Sequence, residues 1–160
     1  MSLSFQFPKW AVTVGAIFVL LATMIFGLAS SASASINYGE EVSATAQRYV
    51  DAPYKWGGTT AKGFDASGFT QYIYKNAATN LKIPRTSAEQ YKIGKSVKKN
   101  ELQQGDLVFY ATGQKGKVSF VGIYNGDGTF TGVTTKGVKI VKISDQYWKD
   151  RYVGAKRVIK

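Results

Sequence analysis

Asp65 and Ser67 are the residues whose types and spacing come nearest to chemistry. They flank Ala66 in Gly63-Phe64-Asp65-Ala66-Ser67-Gly68-Phe69. An aspartate ahead of an amphipathic run is an N-cap, so the next residue opens a helix. There the helix dipole favours an anionic nucleophile. The residue so presented is Ala66, and a methyl group cannot react. The chain has no cysteine and no histidine. A thiolate nucleophile, an imidazole base and a Cys/His zinc site are therefore excluded. Ser67 is the nearest hydroxyl, but its activation needs a base. Lys55 and Lys117 are the nearest lysines, and their sequence settings predict exposure. No cofactor and no metal site is expected.

The elements that must position these residues begin after residue 34. Trp10 to Leu28 is a nearly unbroken apolar run, followed by Ala29-Ser30-Ser31-Ala32-Ser33-Ala34. Small residues after an apolar stretch fit a secretory signal, so residues 1–34 are expected to be cleaved and 35–160 to form one domain. An uncleaved segment would tether the chain to a membrane. The chain carries 21 basic and 10 acidic residues, a net charge of +11. Such a charge draws an exported protein to anionic wall polymers. Export argues against nucleic acid as a partner.

Val42, Ala46 and Val50 recur at helical spacing, predicting a helix over 38–50 that ends before Pro53. Asp65 predicts a helix over 66–77, with Phe69 and Ile73 on its apolar stripe. Thr86 and Glu89 have the spacing of a capping box and predict a short third helix. Beyond it, strands are predicted over 107–110, 117–124, 129–133, 138–143 and 152–159. Asn125-Gly126-Asp127-Gly128 is a hairpin turn. Consecutive apolar Ile140 and Val141 predict a bulge in the fourth strand. Trp56 is expected to pack in the core and Asp106 to serve a turn. Helices first and strands afterwards predict an α+β domain.

Seven segments in order, PYKWGG (53–58), GFDASGF (63–69), PRTSAEQ (84–90), LQQGDLVFY (102–110), VSFVGIYNGDGTF (118–130), GVKI (137–140) and YWKDRYVGAKR (147–157), resemble the NlpC, or p-sixty, family of bacterial cell-wall peptidases. The resemblance runs from about Gly39 to Val158. It implies a papain-like fold, with N-terminal helices on a mainly antiparallel sheet of about five or six strands. It also implies cleavage of peptidoglycan stem peptides by a cysteine at a helix N-terminus, with a histidine on a strand and a third polar residue on the next. On this chain those three positions are Ala66, Phe120 and Gly132. Matching the family's binding positions, Tyr54, Asp65 and Ser67 are expected to hold ligand, Asp65 through a peptide amine. Arg85 is expected to form a salt bridge that closes its loop. Phe120 is expected to tilt into the space beside Gly132.

The expectation that follows is a secreted or wall-associated pseudoenzyme. It would bind stem peptides or regulate wall hydrolysis, with a cell-wall hydrolase as a possible partner. One alternative is a protein-interaction or inhibitor module that does not use the cleft. Another is a weakly active endopeptidase with a non-cysteine nucleophile.

Overall fold

A computed structural model describes residues 37–159. The segment expected to be an export signal lies outside the described residues. The first helix, α1 (Tyr38–Gln47), starts where Asn37 accepts a hydrogen bond from the Glu40 amide at 3.3 Å. Glu40 and Glu41 in its first turn complement the dipole. Val42 and Ala46, one turn apart, are fully buried. The helix ends three residues earlier than its apolar spacing predicts. Arg48, Tyr49 and Val50 donate three residues back, which tightens the chain, and Asp51 takes φ of 71° before Pro53.

A two-stranded ribbon follows, β1 (Thr59–Thr60) with β2 (Gly63–Phe64). It leads into α2 (Ala66–Asn76), capped as expected by Asp65, which accepts from the Gly68 amide at 2.7 Å. Phe69, Ile73 and Tyr74 are buried without remainder. Half of the capping box is present in α3 (Ser87–Gln90): the Glu89 amide donates to Thr86 Oγ1 at 3.3 Å, while the Glu89 carboxylate accepts from the Thr86 hydroxyl at 2.8 Å instead of from the Thr86 amide.

The fold is α+β, and its main sheet has six strands in the order β3-β8-β4-β5-β6-β7, every neighbour antiparallel. They are β3 (Lys95–Val97), β4 (Leu107–Tyr110), β5 (Phe120–Tyr124), β6 (Thr129–Thr134), β7 (Gly137–Lys142) and β8 (Tyr152–Arg157). A four-residue helix, α4 (Gln146–Lys149), precedes β8. Strand β5 is shorter than expected, beginning at Phe120 rather than at 117.

Both faces of the sheet are covered, which is why β4 and β5 are buried along their whole length. Leu107, Phe109, Val121, Ile123 and Val133 face the helices and join Phe64, Phe69 and Ile73 in one core. Val108, Tyr110, Phe120 and Phe130 form a second core on the opposite face, closed by Trp148 of α4 and by Tyr152. The bulge expected at Ile140-Val141 is absent: Ile140 pairs with Thr131 and Val141 with Phe130 in unbroken register. Two neighbouring apolar residues occur because Val141 packs on the second core while Ile140 points to the other side, half-exposed. The register shift of the sheet lies instead between β4 and β8, at Phe109/Tyr110.

Candidate functional site

The N-terminus of α2 meets the start of β5 at a groove of about 750 Å³. Ala66 is the first residue of α2, and it packs against both apolar cores. Phe120 stands across from it on the groove wall. The Phe120 ring leans over Gly132, where an added Cβ would lie 3.0 Å from its Cζ. It is 8% exposed and packs against Trp148 with 4.8 Å between centroids and the ring planes tilted by 47°. Ala66 and Phe120 thus line the same groove, with Gly132 beside the Phe120 ring.

The approach of the 53–58 loop to α2 depends on missing side chains. A Cβ on Gly68 would sit 2.2 Å from the Gly58 carbonyl oxygen, and one on Gly58 would sit 2.2 Å from that of Gly63. Only glycine admits such contact. The Asp65 amide donates to the Gly58 carbonyl at 3.0 Å, which fixes the loop beside the helix start. Tyr54 is 41% exposed at the groove edge. Trp56 is not a core residue: it is 87% exposed and lines the groove. It occupies a corner of the turn closed by the Gly58 amide on the Lys55 carbonyl, so its side chain projects outward.

Asp65 is engaged on both oxygens. Oδ1 accepts from the Gly68 amide and from Arg85 Nη1 at 2.9 Å, and Oδ2 accepts from Arg85 Nη2 at 2.5 Å. The loop-closing salt bridge expected of Arg85 is present. Its hydrogen bond to Asp65 raises the guanidinium pKa above its ordinary value, against the opposing effect of burial. The Ser67 hydroxyl accepts from Arg85 Nη1 at 3.0 Å and donates to Asp65 Oδ1 at 3.4 Å. Lys55 and Lys117 are exposed, and the hydrogen bonds of Ser67 run to Asp65 and Arg85. Among the described residues no group of three or more His, Cys, Asp or Glu could hold a metal ion.

Gln90 was not singled out by sequence, yet it braces the site. Fully buried, it donates to the carbonyls of Ser67 and Pro84 and accepts from Thr70. Every polar atom of its side chain is used, as a buried amide requires. Trp148 was also missed; an aromatic pair in the charged stretch Gln146–Arg151 was the available signal. Asp106 is more than a turn residue. It is 1% exposed and accepts from Arg157 Nε and Nη2, each at 2.8 Å. That pair lies in a separate depression of about 810 Å³, between the 102–106 and 125–127 turns. The α2–β5 groove is the better candidate because the N-terminus of α2 and the Ser67 hydroxyl line it.

A helix N-terminus facing an antiparallel sheet across a groove is the arrangement of a papain-like hydrolase. The chain belongs to the NlpC/P60 family, whose model matches residues 51–157. Murein DD-endopeptidase MepH of Escherichia coli is 39% identical over 115 residues, 69% of this chain and 42% of MepH. A solved NlpC/P60 family protein from Bacillus cereus is similar in fold, with a TM-score of 0.71 and 37% identity, over 76% of this chain and 40% of that one. RipD of Mycobacterium tuberculosis, described as a non-catalytic NlpC/p60 domain protein adapted to peptidoglycan binding, matches with a TM-score of 0.65 and 26% identity. The match covers 78% of this chain and 100% of RipD. The chain spans about half the length of the first curated relatives, 42% of one and 55% of another.

These relatives correct one expectation. The sequence alone predicted no enzyme, but curated relatives at 39–42% identity are named as murein or peptidoglycan endopeptidases and as a dipeptidyl-peptidase. Their names support hydrolase function. The absence of a thiol and an imidazole excludes one route to hydrolysis and does not by itself establish inactivity.

Proposed function

We propose that this protein acts on peptidoglycan stem peptides, taken into the α2–β5 groove, as a wall-located hydrolase of its family. The groove at the start of α2, with Asp65, Ser67 and Arg85 in one hydrogen-bonded set, carries the binding part of this reading. Tyr54 supplies a hydroxyl at the edge. The net charge of +11 adds attraction to anionic polymers of the wall. Export by residues 1–34 is part of the same proposal.

The relatives' names carry the hydrolytic part. With Ala66 at the helix start, the hydroxyl that reaches the groove there is Ser67. It attacks the peptide carbonyl carbon as its proton passes to Asp65. The C–N bond breaks with that proton returned to the leaving amine, and water then hydrolyses the Ser67 ester. Arg85 offers N–H donors to a developing oxyanion. A carboxylate held by a guanidinium is a weak base, so turnover is slow. General-base catalysis is typically worth about 10²–10⁴-fold, and much of that is forgone.

Purified protein incubated with defined muropeptides, followed by mass spectrometry, tests this reading. Slow release of cleaved peptides, lost in Ser67→Ala and Asp65→Asn, is the expected result. Product formation no faster than in buffer overturns the hydrolytic part; failure of the muropeptides to bind overturns the whole.

A further inference from the structure

The basic residues of the chain gather at one edge of the main sheet. Lys92-Ile93-Gly94-Lys95-Ser96-Val97-Lys98-Lys99 holds four lysines and no acid. The run includes β3, the outer strand beside β8. Ser96 pairs there with Lys156, and Lys95 with Arg157. Lys92, Lys95, Lys98 and Lys99 are all exposed. Arg157 is paired with the buried Asp106, and Lys98 faces Glu101 at 3.6 Å. Among the described residues, Lys92, Lys95, Lys99 and Lys156 enter no ion pair.

Two of these cations are held by their neighbours. Lys156 Nζ donates to Ser96 Oγ at 2.9 Å and lies 5.1 Å from the Tyr91 ring centroid. Lys99 Nζ lies 5.2 Å from the centroid of Tyr152. An open edge strand uses a lysine or two against unwanted pairing. That need does not account for Lys99 and Lys156, which lie off β3 and are placed over aromatic rings. Tyr91 packs on the helix-side core and Tyr152 on the opposite one, so cations stand on both flanks of the edge. Between them the chain is extended from Lys95 to Lys98, a run of about 10 Å at about 3.3 Å per residue.

Such a ridge fits a thin chain of spaced anions. A bilayer calls for a basic face with apolar side chains to insert. The exposed large apolar residues, Tyr38, Tyr54, Trp56, Ile140 and Tyr147, all lie outside this edge. Single-stranded nucleic acid calls for free aromatic faces on which its bases stack. Here lysine ammoniums cover one face each of Tyr91 and Tyr152. A phosphodiester polymer without bases needs only the cations.

We propose that the β3–β8 edge is a binding surface for an extended polymer of alditol phosphates, with Lys95, Lys99 and Lys156 each engaging a phosphate. None of the three lines the α2–β5 groove, so the polymer and a groove ligand bind independently.

Fluorescence anisotropy of labelled poly(glycerol phosphate) with the full chain reads this directly. Lys95→Gln/Lys99→Gln/Lys156→Gln is expected to weaken binding at least about tenfold. The slope of log affinity against log salt should become shallower by about two, since each phosphate contact on a single strand contributes about 0.7. Lys62→Gln/Lys75→Gln/Lys82→Gln removes the same charge from exposed positions elsewhere and is expected to cost less than about threefold. Lys95→Arg/Lys99→Arg/Lys156→Arg keeps the charge and is expected to retain binding, which separates lost contacts from a lost fold. Equal losses in the two glutamine triples overturn the inference, because net charge alone would then explain binding. Tighter binding to phosphatidylglycerol vesicles or to single-stranded DNA at equal phosphate overturns it too, as does no binding of the polymer at low salt. Polymer bound without any muropeptide bound leaves this inference standing and removes the proposed function; the reverse result does the opposite.

Discussion

Arg85 and Asp65, twenty residues apart in sequence, meet through both terminal guanidinium nitrogens, and the contact ties the 84–87 loop to the first turn of α2. The Arg85 side chain is 36% exposed and that of Asp65 18%. An exposed pair contributes up to about 1 kcal/mol, and breaking a buried one costs about 3–5 kcal/mol. This pair lies between. Arg85→Ala is expected to cost about 1–2 kcal/mol in urea denaturation. Asp65→Asn keeps the cap on Gly68 and is expected to cost less than Asp65→Ala, which loses both cap and pair. Equal losses in the two Asp65 variants would remove the capping role.

Gly132 and Phe120 share one volume. A Cβ at 132 would lie 3.0 Å from Phe120 Cζ and 3.0 Å from Phe130 Cε2, inside ordinary contact on both sides. Overfilling a packed core costs about 1–3 kcal/mol, and Gly132→Ala is expected in that range. In Phe120→Leu the space reopens, and the same alanine is expected to cost at least 0.5 kcal/mol less, on the order of a typical contact coupling. A double-mutant cycle by thermal denaturation measures the difference. Strict additivity would mean that the ring does not occupy this space in solution.

The local parts of this architecture were legible in the sequence. The Asp65 cap, the Thr86–Glu89 box and the Asn125–Gly128 turn each depend on residues within four positions of one another. Position in space was legible only through the segment order that resembles a family. What sequence did not reveal is non-local. Gln90 was not singled out because two of its partners, Thr70 and Ser67, lie on α2, 20 and 23 residues away. Asp106 looked like a turn residue because Arg157, its partner, is 51 residues away. Trp56 was misassigned because a large apolar residue is usually buried, and exposure on a turn at a groove edge is the exception that such a rule misses. Strand β3, with Lys95 and Ser96 exposed, shows no apolar alternation and forms as an edge strand on β8.

Tyr110 and Tyr152 bring two hydroxyls into the second core, and neither has a hydrogen-bond partner among the described residues. Burial raises both phenol pKa values; that of Tyr152 is pushed up to about 12. An unfolded tyrosine titrates near about 10. The folded state therefore holds protons that the unfolded state releases, so stability is full below about pH 10 and falls as pH rises toward about 12. An unpaired buried hydroxyl costs about 1–3 kcal/mol, and replacing it with hydrogen removes that cost. Tyr110→Phe and Tyr152→Phe are each expected to be neutral or stabilising by about 1 kcal/mol at pH 7, and Tyr152→Phe to flatten the alkaline decline. Thermal unfolding from pH 7 to 11 measures both. A destabilised Tyr110→Phe at pH 7 would reveal a partner for that hydroxyl.

On the family resemblance, Ala66 and Phe120 take the positions of a thiol and an imidazole, and restoring both tests that placement. Ala66 opens α2, so a sulfur placed there would meet the positive end of the helix dipole, beside the Asp65-bound Arg85. Such surroundings depress a thiol pKa below the usual value of about 8.5. Phe120 starts β5 on the opposite wall, and an imidazole in its place is shorter, leaving room over Gly132 for a water or polar group. Ala66→Cys alone is expected to alkylate with iodoacetamide along a modestly lowered pH profile. Adding Phe120→His is expected to lower that profile further, because an imidazolium stabilises the thiolate. The double variant is expected to cleave muropeptides at least about 10²-fold faster than the parent chain, the lower end of what a positioned base contributes. Alkylation against pH reads the electrostatics apart from turnover. An ordinary thiol profile in the double variant, with its fold intact by circular dichroism, would mean that α2 and β5 do not hold these positions within reach of each other.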